Sequence, residues 1–268
     1  SHGLSDNDMQ RIARETNFSE TTFINDDSQK NGGYDVRIFA PGQELPFAGH
    51  PTLGTAYVIR RDILKNRGDK VVLNLKVGQI PVAFERDKQG VETLWMTQKP
   101  PIFGQTFQPE RVSKVLGLSI EDIDSRFPVQ EVSTGVPFTI VPLKTLSGTK
   151  RIRVDRARFL DFVKDSESKV ILVYCPETYK PENQLNVRVF VEYFGIHEDP
   201  ATGSGNGCLA GYLVKHKYFG KDQIDIRVEQ GYEIGRPSLL YLKAGPKDGS
   251  IQVQVGGRVQ AVANGELL

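Results

Sequence analysis

Residues 43–57 read Gln43-Glu44-Leu45-Pro46-Phe47-Ala48-Gly49-His50-Pro51-Thr52-Leu53-Gly54-Thr55-Ala56-Tyr57. The stretch joins a strand to a helix through a tight turn. The strand before it is Tyr34 to Phe39, where Val36 and Ile38 alternate with Asp35 and Arg37. The helix after it begins near Gly49 and His50. Pro51 falls in its first turn, where a missing N–H costs nothing. Glu44 therefore sits just before the exposed N–H groups of a helix N-terminus, which attracts an anion without Lys or Arg. A carboxylate beside an anion pocket can take a proton from a carbon next to a bound carboxylate group. The plainer alternative is a solvated loop acid that caps the next helix.

Working outward, the pattern returns. Val36-Arg37-Ile38-Phe39 is echoed by Val187-Arg188-Val189-Phe190, and Gly49 and its helix by Gly203 and a helix running to Lys215. Glu44 and Pro46 are echoed by Asp199 and Pro200. A repeat at this separation is too long for a solenoid and implies two similar domains related by a pseudo-two-fold axis. Two helix N-termini would then face one cleft, with one acid from each side.

Composition narrows the class. The 268 residues carry a net charge of +1, with no long basic run, which argues against nucleic acid as partner. No apolar stretch approaches the roughly 18 residues of a membrane span. Cys175 and Cys208 are unclustered, which predicts a reducing cytoplasm and no disulfide framework. No signal peptide is expected, and Ser1-His2 reads as a tag scar.

In chain order, Ser5 caps a helix with Asp8 as its boxing acid, and Thr21 to Ile24 is a short strand. Strands are expected at Lys70–Leu75, Ile80–Glu85 and Val91–Thr97. Lys99-Pro100-Pro101 breaks the pattern, so the domains are set at 1–107 and 108–268. The second half predicts helices at Pro109–Leu116, Ser119–Ser125 and from Asp155 to Val163. Its strands are expected at Phe138–Pro142, Lys169–Cys175, Asn186–Tyr193, Gln223–Glu229, Ser238–Ala244, Ile251–Val255 and Val259–Ala263. This mixture suits an α+β chain with an antiparallel or mixed sheet wrapped around a helix in each half. A doubly wound parallel sheet does not fit, because strands outnumber helices and often follow one another directly.

Several motifs fail on spacing. Thr202-Gly203-Ser204-Gly205 is no nucleophile elbow, since Thr202 stands where that motif needs glycine. It is no phosphate loop, since no Gly-Lys-Ser/Thr follows. The glycines at 203, 205 and 207 make no dinucleotide fingerprint. His2, His50, His197 and His216 show no zinc spacing, so no metal and no cofactor are expected. His50 has three readings: it binds substrate, orients Glu44 or only packs. Cys208 reads as core rather than nucleophile.

Glu44 through Ala56 and Glu198-Asp199-Pro200-Ala201-Thr202-Gly203-Ser204 resemble the phenazine biosynthesis isomerase (PhzF) family, within the diaminopimelate epimerase fold superfamily. Gln230-Gly231-Tyr232-Glu233-Ile234-Gly235-Arg236-Pro237-Ser238 and Val255-Gly256-Gly257-Arg258 support the resemblance, which covers essentially the whole chain. It implies two α/β domains, a site between them, a small carboxylated substrate and a homodimer. It implies a proton-shuttling role for Glu44 and substrate contacts for Asp199 and Ser204, while the repeat makes Asp199 the second acid. Gly49, His50, Thr202, Gly203 and Ser204 are the expected substrate contacts. Ala48 and Thr202 stand where the superfamily's epimerases carry cysteines, which disfavours a two-thiol racemase. The family's usual opening strand, a couple of dozen residues before Gly3, has no counterpart here, which predicts a truncated or unusual start. A family histidine also has no counterpart between Lys65 and Pro81. The chain reads as a cofactor-independent isomerase or epimerase; the alternative is a catalytically idle protein that keeps the fold and binds a metabolite or partner.

Overall fold

The structure, a computed structural model, describes residues 3–266, so Ser1-His2 lies outside the described residues. The chain forms two compact units, one of residues 1–97 with 256–268 and the other of residues 98–255.

The first unit opens with α1 (Asp6–Thr16), closed at its start by the Ser5–Asp8 capping box. Its Met9 and Ala13 bury against Phe23 and Phe39, two rings in edge contact at 5.5 Å. The strands are β1 (Thr21–Ile24), β2 (Tyr34–Phe39), β3 (Glu44–Leu45), β4 (Lys70–Leu75), β5 (Gly78–Arg86) and β6 (Glu92–Thr97). They run in the order β1-β2-β4-β5-β6, with β3 folded back on β2. Only the β2–β4 pair among these is parallel. The helix α2 (Gly49–Val58) packs on β1, β4 and β6. It buries Gly49, Pro51, Thr52, Leu53, Thr55 and Ala56, so it is apolar on most of its circumference, as a helix inside a sheet must be. Its buried threonines satisfy their hydroxyls on carbonyls four residues back.

The second unit holds β7 (Ile102–Phe107), α3 (Pro109–Leu116), β8 (Val129–Ser133), β9 (Pro137–Pro142), α4 (Leu146–Arg151), α5 (Arg156–Lys164), β10 (Ile171–Cys175), β11 (Leu185–Phe190), β12 (Glu198–Asp199), α6 (Gly203–Lys215), β13 (Ile224–Gln230), β14 (Ser238–Lys247) and β15 (Ser250–Gly257). The strand order is β15-β14-β13-β11-β10-β9-β8-β7, and the β9–β10 and β11–β13 pairs are parallel. The sheet is covered on both faces, which explains why every residue of β10 and β11 is buried. Ile171, Val173 and Cys175 meet the core under α3 and α5, while Leu172 and Phe138 lie against Gly205 of α6. Twelve of the thirteen α6 residues are buried. A Cβ at 207 would come within 1.9 Å of the Gln98 amide, so any larger residue there must displace that side chain.

Two sequence expectations are corrected here. Val259–Ala263 forms no strand; its residues beyond half-buried Val259 are exposed, so the alternating pattern has no sheet to join. Ser119–Ser125 shrinks to a single 3-10 turn at Ile120–Asp122.

Candidate active site

In the first unit, a hairpin folds β3 back on β2 and sets Glu44 opposite Phe39. Arg37, two residues before Phe39, reaches across the hairpin. Its Nε donates to Glu44 Oε1 at 2.9 Å and its Nη2 to Oε2 at 2.8 Å. This fork-to-fork geometry is the strong form of an ion pair. The remaining Arg37 Nη1 is engaged with Asp6 of α1. Lys76, from the β4–β5 turn, donates to the same Oε2 at 2.5 Å. The Arg37 guanidinium holds the Glu44 carboxyl below the usual carboxylate range; partial burial opposes this and Lys76 adds to it. A bound anion would push the other way, since a like charge disfavours ionisation. In the ligand-free chain the two cations set the opposite direction.

Four residues beyond Glu44, Ala48 is the N-cap of α2 and supplies no side-chain cap. The N–H groups of its first turn therefore keep the positive potential of an open helix end. His50 lies in that turn, and its Nε2 is 3.0 Å from Glu20 Oε2. Its described partner is thus Glu20, whereas the described partners of Glu44 are Arg37 and Lys76.

In the second unit, β12 pairs with β11 and places Asp199 opposite Val189. Thr202 Oγ1 donates to Asp199 Oδ2 at 2.5 Å. Gln230, at the end of β13, ties the turn together: its Nε2 donates to Asp199 O and Thr202 Oγ1, and its Oε1 accepts from Thr202 N and Asn206 Nδ2. Thr202, the N-cap of α6, supplies no side-chain cap, so Gly203 and Ser204 head a second uncapped N-terminus. Asp199, Thr202, Gly203 and Ser204 are thus gathered around one helix start, as Glu44, Gly49 and His50 are around the other.

The register corrects one detail of the repeat. Phe39 faces Glu44, and Phe190 faces Glu198. Glu44 therefore corresponds to Glu198, and Asp199 corresponds to Leu45. Arg188 clamps Glu198 as Arg37 clamps Glu44, with Nε to Oε1 at 3.0 Å and Nη2 to Oε2 at 2.6 Å. The sequence reading missed Arg37, Lys76, Arg188 and Gln230. The Glu-x-Pro-x-x-Gly spacing shared by 44–49 and 198–203 was the available signal for the paired glutamates. Nothing local marks Lys76, which lies 32 positions from its partner.

Burial pushes the Cys175 thiol up to about 11 and the Cys208 thiol up to about 12, so both are inert as nucleophiles at neutral pH. Among the described residues, no group of three or more His, Cys, Asp or Glu is arranged to hold a metal ion, and no helix is long and apolar enough to cross a membrane.

Comparison with known proteins gives these features a family. The profile of the family "Phenazine biosynthesis-like protein" matches residues 1–265. The trans-2,3-dihydro-3-hydroxyanthranilate isomerase of Pseudomonas aeruginosa is 35% identical over 263 residues, covering 98% of this chain and 88% of the relative. The crystal structure of a Bacillus anthracis phenazine biosynthesis protein of the PhzF family superposes with a TM-score of 0.85 at 29% identity, covering 95% of this chain and 86% of that one. A P. aeruginosa protein described as a predicted epimerase gives 0.77 at 29% identity, covering 99% and 90%. The curled mixed sheets and the buried α2 and α6 are thus an epimerase-like fold. The match runs through both helix-start motifs and nearly the whole chain, and it makes this protein an isomerase of the phenazine biosynthesis-like family.

Proposed function

We propose that the protein is a cofactor-independent isomerase or epimerase that moves a proton on a small carboxylated metabolite, amino-acid-like or cyclic, with Glu44 as the acid–base group. The observation that carries this reading is Glu44 itself: an ionised, partly exposed carboxylate placed four residues before an uncapped helix N-terminus. The helix end supplies preorganised N–H donors for a ligand carboxylate and for charge that develops as the neighbouring carbon is deprotonated. Arg37 keeps Glu44 ionised and hence able to accept a proton. Its lowered proton affinity makes it a weak base until a ligand's negative charge arrives to raise it. Asp199, bonded to Thr202 at the second helix start, is the proposed second acid.

A second reading has its own support. The Arg188–Glu198 copy of the clamp is fully internal, with side chains 6% and 1% exposed, so a clamp of this kind can serve the scaffold alone. On that reading the protein binds its metabolite without turning it over. Incubation in D₂O with trans-2,3-dihydro-3-hydroxyanthranilate, the compound in the relative's name, and with a panel of small amino and ring acids separates the two. An isomerase washes deuterium into the ligand, and Glu44→Gln slows this by about 10²- to 10⁴-fold while leaving the fold intact. A Glu44→Gln rate equal to that of the parent removes the assignment. Binding with no exchange across the panel supports the idle binder.

A further inference from the structure

The second unit's sheet carries a polar compartment on the face turned away from α6. Strand parity places it. Gln230 of β13 faces α6, where it bonds Thr202 and Asn206, so Glu229 points to the other face. Glu229 pairs in register with Asn186 of β11, and paired residues share a face. Arg188, two residues further along β11, shares it too. This face is covered at three points. Helix α4 brings Thr149 O, which accepts from Arg188 Nη1 at 2.9 Å. Residues 179–183 lie over Glu229, to which Tyr179 N and Lys180 N donate at 2.8 Å and Asn183 Nδ2 at 2.7 Å. A 3-10 turn at Tyr232–Ile234 brings Glu233, whose Oε1 accepts from Tyr179 Oη at 3.0 Å, and Tyr232 stacks on the Tyr179 ring at 4.5 Å.

Two things in this compartment are out of balance. The first is charge. Glu198, Glu229 and Glu233 are buried carboxylates, and Arg188 is the buried cation among them. Lys150 comes near, but its Nζ lies over the Tyr179 ring, 4.3 Å from the centre. The second is hydrogen bonding. Asn186 is fully buried, and neither atom of its amide has a partner among the described residues. Asn183 Oδ1 is buried and unpartnered as well, and so is Oε2 of Glu233, whose side chain is only 9% exposed. Buried polar atoms are nearly always paired, so such a group on one covered face points to a bound partner.

We infer that this compartment binds a monovalent alkali cation, held by Glu233 Oε2 and the side-chain oxygens of Asn183 and Asn186. One carboxylate and two amide oxygens are the donors that a hard cation takes, with water completing its shell and accepting from Asn186 Nδ2. The neighbours set the charge of the ion. Arg188 Nε stands 4.0 Å from Glu233 Oε2, which penalises a second positive charge at that oxygen. Among the described residues, no three His, Cys, Asp or Glu side chains gather there as a multivalent metal would need. Water alone would pair the amides and leave the surplus negative charge uncompensated. The inference does not depend on the isomerase reading. Glu198 directly precedes Asp199 and Glu229 directly precedes Gln230, so the ion braces from behind the strands that hold the α6 start.

The test melts the full chain in sodium, potassium and choline chloride at equal ionic strength, so that screening is held constant. Sodium or potassium should raise the melting temperature by about 2–4 °C over choline. Glu233→Gln and Asn186→Leu should each abolish that difference. Asn186→Leu should melt no lower than the parent in choline, because it removes an amide that lacks a partner without the ion. Where Glu233→Gln loses stability in every salt, Asn186→Leu decides. Thallium(I), a stand-in for potassium, gives a direct readout: its bound resonance should appear with the parent, yield to potassium and be absent from both variants. Equal melting in all three chlorides overturns the proposal, as does the lack of a bound thallium signal; either leaves the compartment to water. A cation preference that survives both substitutions overturns it too, since the ion then sits elsewhere. Stabilisation by calcium, and not by sodium or potassium, overturns the assignment to a monovalent ion.

Discussion

Arg37 and Arg188 make the same fork at different depths, and depth decides what each contributes. The Arg188–Glu198 side chains are almost sealed, and Arg188 Nη1 also satisfies Thr149 O at 2.9 Å. Removing a buried cation strands its partner's charge, which typically costs about 3–5 kcal/mol. Glu44 is 13% exposed and keeps Lys76 when Arg37 is lost. Arg188→Met should therefore destabilise the protein by about 3–5 kcal/mol in urea unfolding, and Arg37→Met by only about 1–2 kcal/mol. Equal losses would mean that the first clamp is as much scaffold as the second. The sign for pH follows from the lowered Glu44 value. Its folded pKa lies below the unfolded one, so its stabilisation is present above about pH 4.5 and fades as pH falls further. The place of Glu44, just before a glycine-led helix, was legible in the sequence. Its partners were not, because a hairpin register and a distant turn bring them together, and neither leaves a local mark.

Helices α2 and α6 were legible almost to the residue, because a glycine start and a continuous apolar run need no tertiary information. The strands β2 and β4 were legible from alternation for the same reason. Strand β7 was not: Ile102 is 72% exposed and the strand buries no residue fully, so it shows no hydrophobic period. The open end of α6 can be tested without moving any acid. Ser204 is the second residue of that helix, and a proline there removes one donor at a position with no intrahelical partner. Helix α2 already carries Pro51 at its third residue, behind a helical His50, so this fold accommodates proline in a first turn. We expect Ser204→Pro to keep the far-ultraviolet dichroism of the parent and to weaken acetate or phosphate binding about tenfold or more, the worth of a hydrogen bond to a charged group. Calorimetry that finds unchanged anion affinity would show that α6 is closed to ligands.

At the scale of the molecule, the two units carry different titratable interiors. The second unit holds Tyr174 in edge contact with both Tyr212 and Tyr218, together with Cys175 and Cys208. Burial raises all five: Tyr218 and Cys208 to about 12, Cys175 to about 11, and Tyr174 and Tyr212 higher than an exposed phenol. The sequence places all of these but Tyr218 in strand and helix patterns, and it does not say that three hydroxyl-bearing rings share one core. The direction of the linkage is fixed. Each group is neutral when folded, and its folded pKa lies above the unfolded value of about 8.5 for cysteine and 10 for tyrosine. The stabilisation is therefore whole below about pH 8.5 and is lost progressively as pH climbs towards the folded values. Alkali should thus open the second unit. In a pH-jump experiment followed at 295 nm, exposed tyrosines ionise within the mixing time. The three core rings should ionise later, above about pH 11, at the rate at which far-ultraviolet dichroism is lost, because they must leave the core to lose a proton. Tyr174→Phe should remove one equivalent from the slow phase only. Prompt ionisation of every ring with the dichroism intact would show that water reaches this cluster in the folded state.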